Sequence, residues 1–291
     1  MKDMLYRGVA LNKAVRVIGI NSKNIVSQMA LKHQTTPCAS AALGRTISIV
    51  ALMGNMLKNN DSIIVNIDGD GPLGQIHTKF YDGNKIKGYV DNPQVEIKIN
   101  DANKLDVKGV VGTNGTLSVI LKQGLKNDYH GSIPLVSGEI SEDFTYYFAV
   151  SEQTPSIVSA GVLVDKDMNV TSSGAIIIQL LPEACEEDIE YLENSLSKVS
   201  DISKTLLDNP NILDLFNDIF DDFELLEQEE ILYECDCSYE DMQSKIATLS
   251  LEDLNEIKIE DKGLEAVCPW CNTEYFFDED AIDKIIDIKN K

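Results

Sequence analysis

Histidine is scarce in this chain of 291 residues, which holds only three. His33, His77 and His130 lie far apart, and none has an acidic or serine partner at a recognisable spacing. The proton-relay constellations that hydrolases use are therefore not in evidence. Neither G-x-S-x-G, a P-loop nor H-E-x-x-H occurs, which removes the common esterase, nucleotidase and metalloprotease patterns. Long apolar runs are missing too. The most apolar stretch, Ile47 to Leu57, follows Arg45 and is too short to span a bilayer. Met1 to Arg7 lacks the apolar core of a secretory signal. The expectation is a cytoplasmic protein that is not an enzyme and has no membrane partner.

Positive charge is missing from one end only. Residues 1–180 carry 17 Lys+Arg against 16 Asp+Glu, a net of +1, whereas residues 181–291 carry 8 against 32, a net of −24. An acidic tail of this kind repels phosphate backbones, so nucleic acid is not an expected partner. The length suggests about two domains, and the charge step places a boundary near residue 180.

Up to that boundary, short β-rich runs alternate with turn signals. Strands are expected at Leu5–Ala10, Ala14–Ile20, Ser62–Asp68, Gln75–Tyr81, Lys85–Val90, Lys108–Gly112, Thr116–Lys122, Gly131–Ser137, Ile157–Val164 and Gly174–Leu180. Helices are expected at Lys23–Lys32, Ala39–Lys58 and Glu142–Ser151. Consecutive strands with short turns argue for an α+β core of mostly antiparallel sheet with packed helices, followed by a helical linker and a small C-terminal zinc-binding domain. Gly69-Asp70-Gly71-Pro72-Leu73-Gly74 matches G-x-G-x-x-G, but a dinucleotide site needs a helix to follow. Here Pro72 and the alternating Gln75 to Phe80 predict a hairpin turn instead.

From 181 to 230 the texture is that of an acidic, amphipathic helical linker. Ile189, Leu192 and Leu196 recur at helical spacing among carboxylates. Ile212, Leu215, Phe216, Ile219, Phe220 and Phe223 then fall on one face of a helix continuing towards Leu226, with Asp214, Asp218, Asp221 and Asp222 opposite. Such a stripe suits a segment that docks reversibly on the body, or a surface that takes clients.

Six cysteines remain, and four of them are clustered. Cys38 and Cys185 stand alone and read as buried or inert thiols. Cys235-Asp236-Cys237 and Cys268-Pro269-Trp270-Cys271 are two tight pairs thirty residues apart. Two such pairs present four thiolates to one tetrahedral ion, and a closed four-thiolate shell selects zinc, one per chain. The last sixty residues carry 16 Asp+Glu and 6 Lys, and a domain this small is marginal without a staple. A structural zinc contributes about 10–16 kcal/mol in small zinc domains, which matches or exceeds a typical total stability of about 5–15 kcal/mol. Residues 231–291 thus read as a zinc domain, and oxidation of its sulfurs is one way to unfold it. Four cysteines admit three disulfide pairings, and the spacing does not choose among them. The alternative is a zinc-ribbon interaction module with a permanent zinc. A thiol oxidoreductase acting through Cys268 and Cys271 is a further rival, although no thioredoxin-like βαβ context surrounds that motif.

Taken with Ala41-Ala42-Leu43-Gly44-Arg45, the Gly69 to Gly74 turn, Gly88-Tyr89-Val90 and Ser151-Glu152-Gln153-Thr154-Pro155-Ser156, the two cysteine motifs resemble the 33 kDa chaperonin family of redox-regulated bacterial heat-shock holdases. Lys87 departs from the arginine usual there, and Glu240 and Asp241 make the segment after Cys237 unusually acidic. The resemblance implies an ATP-independent chaperone, inactive while reduced and zinc-bound. It further implies that oxidation forms disulfides within each motif, releases zinc, and unfolds the C-terminal region and linker. The exposed surface would then bind unfolding proteins, with homodimers forming on activation.

Overall fold

The structure, a computed structural model, describes residues 2–57, 61–124 and 127–289, without the side chains of Leu196 and Ile288. Lys58, expected to end a helix, lies outside the described residues. The chain separates into two compact units, Met1–Glu234 and Cys235–Lys291.

The first unit opens with strands β1 (Met4–Ala10) and β2 (Val15–Asn21), joined through Leu11, Asn12 and Lys13, all at positive φ. Helices α1 (Lys23–His33) and α2 (Pro37–Asn55) follow. Pro37 suits the first turn of α2, where its missing N–H leaves no gap in the helix ladder. Next come β3 (Ser62–Gly69), β4 (Gln75–Tyr81) and β5 (Lys85–Val90). After them lie α3 (Val107–Val111), β6 (Gly115–Lys122) and β7 (Tyr129–Pro134). Helix α4 (Ser141–Val150) leads to β8 (Ser156–Val164) and β9 (Val170–Leu180). The unit closes with α5 (Glu186–Val199), α6 (Ile202–Asp208), α7 (Ile212–Ile219), β10 (Glu224–Glu230) and β11 (Leu232–Tyr233).

These strands build two sheets, ordered β10-β1-β2-β9-β8 and β11-β5-β4-β3-β6-β7. Every pairing is antiparallel except the short β11–β5 contact, in keeping with the α+β reading. Helix α2 touches β8 and β9 of one sheet and β3, β4 and β5 of the other. All its residues except Arg45 are buried. Among the described residues it is the one helix long and apolar enough to cross a membrane, yet 94% of its apolar window is buried, and its Ala, Gly and Ser content lets both sheets close on it. Ile18, Ile20, Ala175 and Ile177 turn inward to that core. Val15, Val17, Ile176 and Ile178 turn to a second apolar cluster on the outer face. Burial on both faces explains why β2 and β9 read as nearly continuous apolar runs.

Two expectations need correction. Of Lys108–Gly112, read as a strand, Lys108–Val111 belongs to α3 and Gly112 caps its end. Asp106 caps that helix, accepting a hydrogen bond from the Gly109 N–H at 2.9 Å, and the run is too short for its β-branched residues to outweigh the cap. The helix expected through Phe223 and Leu226 ends at Ile219, and Glu224–Glu230 is strand β10, paired along β1. A pairing edge overrode helix-forming glutamates there. The Gly69–Gly74 stretch is a hairpin turn between β3 and β4, as expected. A Cβ on Gly71 would stand 2.6 Å from the Gly112 nitrogen, so the glycine serves a close approach of two backbones. Asp70 ties the turn to the next loop, accepting from Thr113 N–H, Asn114 N–H and Asn114 Nδ2.

The second unit holds α8 (Tyr239–Ile246), α9 (Leu251–Glu256), a π-helical turn (Ile257–Asp261), β12 (Gly263–Val267), β13 (Glu274–Asp278) and α10 (Glu279–Lys289). Strands β12 and β13 form an antiparallel hairpin. Met242, Ile246, Leu254, Phe277, Ile282 and Ile285 make a small core that includes Cys268 and Cys271.

Candidate metal centre and docked acidic segment

Cys235 and Cys237 lie just ahead of α8, whose start is fixed by Ser238, accepting from the Asp241 N–H at 3.1 Å. Cys268 and Cys271 occupy the turn of the β12–β13 hairpin. The Cys271 N–H (3.3 Å) and Asn272 N–H (2.8 Å) both donate to the Cys268 carbonyl, and the Cys268 N–H donates to the Thr273 carbonyl at 3.0 Å. Asn272 turns the chain at positive φ, a conformation asparagine tolerates. Each motif therefore projects two sulfurs from one tight turn.

The four Sγ atoms all lie within 4.8 Å of one another. Cys235 Sγ is 3.9 Å from Cys268 Sγ, and Cys237 Sγ is 3.4 Å from Cys271 Sγ. A tetrahedral ion with zinc–thiolate bonds of about 2.3 Å requires sulfur–sulfur separations of about 3.8 Å, which these two distances bracket. Donor chemistry and spacing thus fit a zinc ion held by Cys235, Cys237, Cys268 and Cys271. Burial pushes the Cys268 thiol up. Burial acts the same way on Cys271, but hydrogen bonds from the side chain and backbone of Thr273, together with Cys237 and Cys235, bring it down to about 7. Two hydroxyls touch the cluster: Tyr275 donates to Cys237 Sγ at 3.1 Å, and Thr273 Oγ1 lies 3.1 Å from Cys271 Sγ.

The apolar stripe of 181–230 packs within the first unit, on the outer face of the five-stranded sheet. Ile212, Leu215, Phe216, Ile219 and Phe220 are buried there against Val15, Val17, Ile176 and Ile178, with Phe223 half-buried beside them. Only the first four of that stripe sit within α7; Phe220 ends it and Phe223 precedes β10. A Cβ on Gly19 would lie 2.7 Å from both Ile212 Cδ1 and Phe216 Cζ, and one on Gly174 would strike Leu206. The sheet is bare where the helices rest. Asp222, which the helical wheel gave to solvent, accepts from the Leu11 (2.9 Å) and Asn12 (2.7 Å) N–H groups at the β1–β2 turn. Cys38 is buried, but Cys185 is exposed, at the start of α5. Burial is thus the half of the Cys185 expectation that fails, because isolation in sequence carries no information on exposure.

A model of the Hsp33 protein family matches residues 3–278. The 33 kDa chaperonin of Oceanobacillus iheyensis is 40% identical over 287 residues, covering 98% of this chain and 99% of the relative. That of Clostridium botulinum is also 40% identical, over 289 residues and 98% of each. The chain belongs to the Hsp33 family. The fold agrees: the crystal structure of the Thermotoga maritima 33 kDa chaperonin, a heat shock protein 33 homologue, superposes with a TM-score of 0.93 at 34% identity, covering 100% of this chain and 99% of that one. Hsp33 membership makes the chain a chaperone and not an enzyme, with a C-terminal cysteine cluster able to hold a metal ion.

In this Hsp33 chain the geometry adds what motif reading missed, the two hydroxyls on the cluster and the glycine seats under the acidic helices. The former had a faint signal. Thr273 and Tyr275 are alternate residues entering a strand just after Cys271, and alternate strand residues share a face.

Proposed function

We propose that this chain is a redox-regulated, ATP-independent holdase of the cytoplasm, whose residues 181–230 act as a linker that covers an apolar sheet face until the C-terminal unit unfolds. The observation that carries the proposal is the pairing of two features in one chain. Four sulfurs gather within 4.8 Å in a small unit, and a strongly acidic segment hides an apolar stripe against a sheet.

Bound zinc supplies the charge that holds the four sulfurs as thiolates and closes a unit of 57 residues. Under a peroxide, each cysteine pair gives up two electrons and forms one S–S bond. The peroxide, with two protons from solvent, leaves as two waters. Following the family resemblance, the bonds form within motifs, Cys235–Cys237 and Cys268–Cys271. Disulfide sulfurs no longer carry the negative charge that holds a dication. Such bridges close loops of only three or four residues, so they restrain the unfolded chain little. The surplus carboxylates of 235–291 then favour the expanded state. When the adjoining linker follows, the outer sheet face and the stripe from Ile212 to Phe223 become available to unfolding client proteins and to a second copy of the chain.

The test follows zinc release, circular dichroism and suppression of client light scattering together during peroxide treatment with mild heating. The proposal requires the three to change in step. Zinc leaving while helicity and the suppression of scattering stay constant would refute the switch, and zinc retained under peroxide would instead favour a permanent zinc-ribbon clip, to which the apolar core around Leu254 and Phe277 lends itself.

A further inference from the structure

We infer that Tyr275 and Thr273 are positioning residues of the sulfur cluster, each hydroxyl donating to one thiolate and together slowing metal loss from the side formed by Cys237 and Cys271. The inference rests on the reading of the four cysteines as a zinc site.

The two hydroxyls reach different sulfurs. Tyr275 donates to Cys237 Sγ at 3.1 Å, and Thr273 Oγ1 is 3.1 Å from Cys271 Sγ. Within the Thr273 contact a metal-bound thiolate has no proton to offer, so the hydroxyl is the donor. Cys237 and Cys271 come from different motifs and stand 3.4 Å apart, so the two donors brace one edge of the cluster.

Both hydroxyls are held by backbone structure. The Thr273 carbonyl is pinned by the Cys268 N–H at 3.0 Å. Tyr275 pairs with Ala266 across the β12–β13 hairpin, and its ring is half-buried against the small core. Thr273 stands one residue ahead of β13 and Tyr275 within it, and both side chains reach the sulfurs.

The chemistry favours this arrangement. Four thiolates around a dication leave two surplus negative charges, in a unit that is already acidic. An O–H donor spreads sulfur charge and orients its lone pairs without adding a cation. It also occupies a lone pair that would otherwise face an incoming electrophile.

The experiment uses the full chain, reduced and loaded with zinc, and compares wild type with Tyr275→Phe, Thr273→Val and Thr273→Ser. The first two remove a hydroxyl and keep nearly the whole shape; the third keeps the hydroxyl. Zinc transfer to a chromophoric chelator should show affinity lower by about tenfold or more in Tyr275→Phe and Thr273→Val, with Thr273→Ser close to wild type. Pulse alkylation read cysteine by cysteine should show Tyr275→Phe speeding modification of Cys237 first and Thr273→Val that of Cys271 first. A merely structural defect would speed all four together. One zinc per chain in every variant, with chelator transfer within twofold of wild type or with uniform alkylation, overturns the inference alone. A wild-type chain that takes up no zinc overturns the zinc reading and this inference with it.

Discussion

Replacing Phe216 by alanine should release the acidic segment without touching a cysteine. Phe216 is fully buried on the sheet, and its ring sits 5.0 Å from that of Phe223. Five buried side chains, Ile212, Leu215, Phe216, Ile219 and Phe220, at about 1.5–3 kcal/mol each give a docking gain of about 8–15 kcal/mol, an upper bound because the unfolded chain is itself partly compact. Ordering the nine residues from Ile212 to Phe220 costs about 1–2 kcal/mol per residue, or about 9–18 kcal/mol. The two nearly cancel, so the segment is held by a margin of at most a few kcal/mol. Phe216→Ala removes about 3–5 kcal/mol, which is the whole of that margin. Hydrogen exchange on the reduced, zinc-loaded protein should show lost protection over residues 212–220, with one zinc still bound. The same sample should suppress client aggregation without oxidant. Gly19→Ala attacks the same contact from the sheet side, since its Cβ would meet Ile212 and Phe216 at 2.7 Å, and should act in the same direction. Wild-type protection over 212–220 in Phe216→Ala would refute the energetic reasoning. Full exposure with no gain in holdase activity would refute the segment's role as the brake.

Three other outcomes follow from the same structure. A zinc chelator under reducing conditions should unfold residues 235–291 and abolish their helical circular dichroism; a unit that stays folded without metal would show that its own core suffices. Asp143→Ala should lower stability by about 4 kcal/mol or more, about 1–3 kcal/mol for each of four donors left without a partner. The carboxylate is fully buried and accepts from Val136, Ser137, Gly138 and Ile140 N–H groups, and thermal melting reads the loss. The hydrogen bond from the Asn114 side chain, followed by its backbone N–H, holds the Asp70 carboxyl below its ordinary value of 3.8. A depressed carboxyl contributes stability above that value and loses it as pH falls through the folded one. The melting difference between wild type and Asp70→Asn should therefore be largest above pH 4 and shrink as the pH falls below it.

The parts of the fold legible in the sequence are those set by local chemistry. The hairpin at Gly69–Gly74, the buried α2 and the two cysteine turns each follow from a few neighbouring residues. What escaped depends on distant partners. Glu224–Glu230 suits a helix taken alone and becomes a strand because β1 offers an edge. Val107–Val111 has strand-like residues, yet a single aspartate cap settles it as a helix. Gly19 and Gly174 read as ordinary interruptions of apolar strands. Only the packed helices show why a side chain is excluded there. The Tyr275 contact with Cys237 spans 38 residues, a distance over which residue type alone predicts no hydrogen bond.

Strand β10 gives the acidic segment a second consequence. It is the outermost strand of its sheet, and β1 lies directly behind it. If the segment lets go as a whole, it takes with it the hydrogen-bonding neighbour of Met4–Ala10. Two surfaces then open together: a greasy plane indifferent to sequence, and a rail of amides and carbonyls that any extended polypeptide can zip onto. A helper that grips main chain as well as side chains has no reason to be choosy about whom it rescues.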